Sequence, residues 1–155
     1  MADYKSLAKQ IESIAEAERD YVPLLSNASA LIYDALDRLN WAGFYLMDSG
    51  SLLLGPFQGK VACIRISIGK GVCGTAVKEG KTIRVDDVHT FPGHIACDSA
   101  SNSEIVIPIC SNGRIVGVLD VDSPVFSRFT EEDEDGLTAI VKIIEEYADF
   151  SRLRI

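Results

Sequence analysis

The stretch Glu104–Asp122, EIVIPICSNGRIVGVLDVD, decides the fold. Two β-rich segments, Glu104 to Ile109 and Arg114 to Asp122, flank Ser111, Asn112 and Gly113, where glycine supplies the positive φ of a tight turn. The pattern predicts a β-hairpin. Along its second arm, the two-residue period of a strand puts Asp120 and Asp122 on one face and Leu119 and Val121 on the other. Two carboxylates therefore project together from a segment that otherwise reads as buried, and a buried carboxylate needs a partner. On the first arm Glu104 shares a face with Val106 and Pro108, and the hairpin can bring it near Asp122. Three acids facing one cavity attract a cation, or raise one another's pKa until one stays protonated. Taken singly, each acid has a plainer reading: Asp122 caps the turn at Ser123 and Pro124, and Glu104 sits in solvent.

Beyond the hairpin, Thr130 caps a helix with Glu131, Glu132 and Asp133 in its first turn, at the positive end of the helix dipole. Its buried stripe is Leu137, Ile140, Val141, Ile144 and Ala148. Toward the amino end, Trp41 to Met47 and Ser51 to Leu54 flank a turn at Asp48, Ser49 and Gly50, a second hairpin. Two amphipathic helices precede it, with Leu7, Ile11, Ile14 and Ala15 on the first and Ala28, Leu31, Ile32 and Ala35 on the second. Between the hairpins, Gly55 to Asn102 is rich in Gly, His and Cys, with short strand-like pieces only at Cys63 to Ile66 and Thr82 to Val85. So long a stretch, too apolar for a linker, predicts functional loops. The order α-α-β-β-loops-β-β-α favours an α+β fold: an antiparallel sheet with amino- and carboxy-terminal helices on one face and loops over a pocket on the other. A length of 155 residues, 47% of them hydrophobic and only 5 prolines, suits a single domain over 1–155.

A formal net charge of −8 argues against nucleic-acid partners, which draw on clustered Lys and Arg. No apolar run approaches the roughly 20 residues that span a bilayer, and the amino end carries no cleavable apolar segment. These features predict a soluble, cytoplasmic protein. In that reducing setting the 4 cysteines are filler, ligands or catalysts. Spacings of 10, 24 and 13 residues exclude the usual zinc knuckles, and no metal is expected. The glycines at 55, 59, 69, 71 and 74 lead into neither a Walker motif nor a dinucleotide fingerprint, which excludes nucleotide binding.

Among the thiols, Cys97 has the most polar surroundings, Gly93 to Ser99, with His94 as a candidate proton carrier and Asp98 opposing ionisation. A lone histidine is more often structural. Cys73, within Gly71 to Thr75, reads equally as close packing; Cys110, ending an apolar strand, reads as filler. Spacing does not rank Cys63 against Cys73. Trp41, Gly43 and Tyr45 share one strand face, and two rings beside a bare glycine can line a concavity, although aromatic core is the commoner outcome. Rings with acids suit a small amine.

The runs NWAGFYL (Asn40 to Leu46), LGPFQGKVAC (Leu54 to Cys63), GKGVCGTA (Gly69 to Ala76), PGHIACDSASNSEIVIP (Pro92 to Pro108) and GVLDVDS (Gly117 to Ser123) closely resemble the free methionine-(R)-sulfoxide reductases, enzymes built on a GAF-type domain. The resemblance covers Asn40 to Thr130. It implies reduction of free methionine R-sulfoxide, with Cys97 as nucleophile, Cys63 as principal resolving thiol and Cys73 as a third, resolving or recycling cysteine. The implied pocket draws on Trp41, Tyr45, Glu104, Asp120 and Asp122, with Cys110 outside the family's cysteine pattern. Joined to the residue chemistry, this gives a sulfenic acid on Cys97, Glu104 and Asp122 as acid candidates, Asp120 or Asp122 for the substrate ammonium, and Trp41 around its methyl group. Thioredoxin, kept reduced by its NADPH-dependent reductase, is the implied external reductant, with no bound cofactor. The competing reading is a non-catalytic GAF-type sensor of a small ligand or of redox state. A homodimer through the amino-terminal helices is open, because their stripes can equally pack on the sheet.

Overall fold

The computed structural model describes residues 2–94 and 99–155. Two helices, α1 (Tyr4–Ala17) and α2 (Tyr21–Ala35), lead into strands β1 (Trp41–Asp48), β2 (Ser51–Gly59) and β3 (Arg65–Ser67). Helix α3 (Gly71–Glu79), strand β4 (Ile83–Val85) and a 3-10 turn (Val88–Thr90) follow, then β5 (Ser103–Ser111), β6 (Arg114–Ser123) and α4 (Glu131–Tyr147). The strands form one sheet in the order β3-β2-β1-β6-β5-β4, and every pairing is antiparallel.

Local chemistry fixes the helix starts. Asp3 and Asp20 accept hydrogen bonds from the amides of Ser6 and Val22, satisfying donors that a helix N-terminus leaves open. Thr130 and Asp133 close a reciprocal capping box at the start of α4, whose first turn is acidic throughout. On the sheet face carrying Ala42, Phe44, Ile105, Ile107, Leu119 and Val121, helices α1, α2 and α4 bury Leu7, Ile11, Leu25, Ile32, Leu137 and Ile140. This is the main core and matches the expected one-sided packing of the terminal helices. Among the described residues no helix is long and apolar enough to cross a membrane.

The opposite face departs from the expected element order. Its cover includes a helix, α3, which packs Val72, Cys73 and Ala76 against Tyr45, Val106 and Val118. The segment GVCGTAVKE carries glycines and β-branched residues that weaken helix propensity, and tertiary packing overrides that weakness. Gly74 is required there, because a Cβ would collide with the Ser67 carbonyl oxygen. Strand β2 also runs on to Gly59, past the expected end at Leu54, through a bulge: Gly43 pairs with Phe57 and Tyr45 with Leu54, so Gly55 and Pro56 oppose Phe44 alone. Proline, lacking an N–H, is tolerated at such a bulge.

The β5–β6 hairpin forms as expected, with a tighter turn. Ser111 pairs with Arg114, leaving Asn112 (φ 52°) and Gly113 (φ 76°) as a two-residue turn in the left-handed region. Cys110 is exposed rather than filler. It lies next to that turn, at a register shift that follows Ile109.

Candidate active site

Register assembles the site. Strand β6 pairs with both β1 and β5, so Asp122 stands opposite Trp41 on one side and Glu104 on the other, while Asp120 stands opposite Gly43 and Val106. Residues directly opposite in an antiparallel pair share a face, and two-residue steps keep it. Trp41, Tyr45, Glu104, Asp120 and Asp122, expected together from the sequence, all line one cavity. Its roof comes from the start of α3 and the segment before it: Ile66, Lys70, Gly71, Val72 and Cys73. Val61, Ala62, His94 and Ser101 complete the wall. Cys97 lies outside the described residues.

The rings form a ladder. Trp41 stacks on Tyr45 at 5.8 Å and on Phe57 at 5.1 Å between centroids. The space beside Gly43, expected to be part of a concavity, is taken by Phe57, whose Cα lies 2.7 Å from where a Gly43 Cβ would be. Glycine here lets a third ring approach Trp41. Phe57 escaped the sequence reading because it falls in Gly-Pro-rich chain after Leu54.

Burial dominates the electrostatics. Glu104 is 7% exposed, Asp120 5% and Cys73 4%. Burial, then the neighbouring Asp120 charge, raises the Glu104 carboxyl well above the usual range. Burial and the charge of Asp122 push Asp120 up to about 8, against bonds to Glu104 and Cys73 that pull it down. The Cys73 thiol, 4.0 Å from Glu104 Oε2, is also raised, first by burial and then by Asp120 and Glu104. Near neutral pH the floor of the cavity therefore stores protons, and Cys73 is held as a thiol.

Two buried polar atoms in the cavity, Trp41 Nε1 and Asp120 Oδ1, have no hydrogen-bond partner among the described residues. A donor and an acceptor left open at such cost mark places for ligand groups. The start of α3 adds amides that no side chain caps, at Gly71 and Val72 on the cavity wall. Tyr45 donates its hydroxyl to the Cys63 carbonyl at 2.9 Å, tying the pocket to the segment that bears Cys63. Cys63 is disulfide-bonded, whereas Cys73 and Cys110 carry free thiols.

His94 reaches the wall, but burial and then the neighbouring His89 lower its pKa, favouring the neutral ring. His89 itself pairs with Asn102 Oδ1 at 2.8 Å. Asn40 donates to Ser101 Oγ at 2.9 Å and steadies the wall that Ser101 forms.

A GAF domain model matches residues 25–146. Over 142 residues the chain is 53% identical to the free methionine-R-sulfoxide reductase of Escherichia coli K12, covering 92% of this chain and 86% of that protein. The reduced form of fRMsr of Staphylococcus aureus superimposes with a TM-score of 0.93 at 54% identity, covering 96% of this chain and 97% of that one. The free methionine-R-sulfoxide reductase of Neisseria meningitidis, solved in complex with its substrate, gives 0.90 at 46% identity, with coverages of 93% and 87%.

Proposed function

The chain belongs to the GAF-domain family of free methionine-R-sulfoxide reductases, and we propose that it reduces free L-methionine (R)-sulfoxide to methionine by thiol chemistry at Cys97. The observation that carries the reading is a proton-storing acid floor beneath an aromatic ladder, in a cavity tied by Tyr45 to a disulfide-bonded Cys63.

The substrate is a zwitterion with a polar sulfoxide and an apolar methyl group. Its ammonium suits Asp120, whose Oδ1 has no partner among the described residues, and Asp122 beside it. Its carboxylate suits the uncapped amides at the start of α3, with Lys70 adding positive charge. The methyl-sulfoxide end lies against Trp41, where the indole N–H offers a donor to oxygen. Both charged ends are engaged, so a methionine sulfoxide within a polypeptide is excluded.

The thiolate of Cys97 attacks sulfur, Glu104 protonates the sulfoxide oxygen, and that hydroxyl passes to the Cys97 sulfur as the transient sulfur–sulfur bond breaks and methionine departs. Oxygen stays on Cys97 as a sulfenic acid. Cys63 condenses with it, releasing water and forming a disulfide, which an external dithiol reopens by exchange. Thioredoxin with its NADPH-dependent reductase fits that role in a cytoplasmic setting, and the whole chain, 1–155, acts as one domain. Cys73 is the weaker resolving candidate, because burial and acids keep it protonated. Its place beside Glu104 suits proton exchange with that acid.

The test is steady-state consumption of free methionine R-sulfoxide with thioredoxin, compared with the S epimer and a peptide-bound sulfoxide. Turnover of the free R epimer alone, lost in Cys97→Ser, is expected. Absence of turnover by the unmodified chain would sink the reading and leave the sensor. Peptide mapping after one equivalent of substrate should give a Cys63–Cys97 disulfide, and a dominant Cys73–Cys97 product would reverse the assignment.

A further inference from the structure

Cys73 Sγ, a carboxylate oxygen of Glu104 and one of Asp120 lie within 4.8 Å of one another, on three buried residues from α3, β5 and β6. The reaction proposed above makes no use of them as a set. A second observation points the same way: Asp120 Oδ1 is buried with no hydrogen-bond partner among the described residues, on a residue 5% exposed that lines the cavity. Tetrahedral zinc, with sulfur at about 2.3 Å and oxygen near 2.0–2.2 Å, sets its ligands about 3.5 Å apart. Cys73 Sγ and Glu104 Oε2 already stand at 4.0 Å. Closing the trio takes at most about 1.3 Å, a displacement within reach of side-chain torsions.

We propose that Cys73, Glu104 and Asp120 form an inhibitory site for zinc, in which the ion takes the place of the substrate ammonium group. One sulfur with two oxygens favours a borderline-soft ion over magnesium or calcium, which take oxygen ligands alone. The fourth coordination position faces the cavity and takes water. Binding releases the thiol proton and any carboxyl protons to solvent, and no electron moves. Neither Cys63 nor Cys97 is a ligand, so the site persists when Cys63 is in its disulfide. The competition with substrate rests on the proposed function; binding of the ion does not.

The experiment uses the full chain with Cys63 in its disulfide and Cys110→Ser removing the exposed thiol. Zinc is titrated calorimetrically, and cobalt(II) is the spectroscopic probe for a sulfur-to-metal charge-transfer band. One equivalent and a clear band are expected, with affinity falling at least about tenfold in Cys73→Ser and in Asp120→Asn. Thermal unfolding checks that both variants fold, and either folded variant suffices. Absence of binding at metal concentrations on the order of 100 μM, or affinity unchanged in a folded variant, overturns the site. Metal binding that free methionine sulfoxide fails to weaken overturns the shared locus, whereas turnover by the metal-free enzyme separately judges the reaction.

Discussion

Replacing Asp120 by asparagine should make the protein more stable while abolishing its activity, by an amount that depends on pH in a defined way. Asp120 holds its proton up to about 8 in the folded chain, against an ordinary 3.8. Below 3.8 both folded and unfolded chains are protonated, and the carboxyl costs nothing. Between 3.8 and about 8 the folded chain keeps a proton that the unfolded chain has released, so stability falls as pH rises. Integrated to neutral pH, this is a burden of about 4 kcal/mol. Asparagine removes it but leaves an amide imperfectly hydrogen-bonded, which costs roughly 1–2 kcal/mol. The net gain at neutral pH is thus about 2–3 kcal/mol. Urea unfolding followed by the fluorescence of Trp41, the 1 tryptophan of the chain, measures it directly. The stability difference should widen steadily from about pH 4.5 to about pH 8 at up to roughly 1.4 kcal/mol per unit. A difference flat across that range would refute the claim that burial governs this carboxyl.

Other outcomes follow from the same geometry. Cys63→Ser should release about one equivalent of methionine and stop at the sulfenic acid, while Cys73→Ser keeps multiple turnover, and rapid-quench product analysis decides between them. Asp133 takes bonds from Tyr4 (2.7 Å), Arg128 (3.1 Å) and the Thr130 amide (2.9 Å). Burial alone would raise this carboxyl, yet those donors hold it below 3.8, so its contribution is full above that value and fades as pH falls through the depressed one. Asp133→Asn should therefore cost about 2–4 kcal/mol at neutral pH and less in acid, read from denaturation at both. Gly43→Ala should push Phe57 off Trp41 and raise KM for the sulfoxide, because the new methyl would lie 2.8 Å from the Pro56 carbonyl oxygen. Gly113→Ala, at φ 76° with open space around it, should cost only about 1 kcal/mol and leave kcat/KM unchanged.

The site was legible where alternation is strong. Asp120 and Asp122 stand apart from Leu119 and Val121 by simple period, and the hairpin brings Glu104 opposite Asp122 as read. The rest depended on tertiary terms that local pattern does not carry. Helix α3 is held by packing Val72, Cys73 and Ala76 under the sheet rather than by propensity, so its glycines read as loop. Residues 55–59 read as loop because Gly-Pro-Phe-Gln-Gly has turn composition, while the bulge at Phe44 lets them pair and delivers Phe57 to Trp41. The Cys110 reading failed at the end of β5, where burial lapses and the register shifts. The protons stored on Glu104 and Asp120 reflect burial depth, which strand alternation indicates only in sign.

The two-residue turn at Asn112 and Gly113 lies at the far end of the β5–β6 hairpin from Glu104 and Asp122. It is thus a natural splice point: a reporter domain or a peptide tag inserted there would leave the row Trp41, Asp122, Glu104 in step. A single residue added inside β6 would turn its acids toward the helices and dismantle the pocket without touching one of its side chains. For anyone rewiring this protein into a sensor of sulfoxide or metal, the hairpin tip is the handle and the central strand is the part to leave alone.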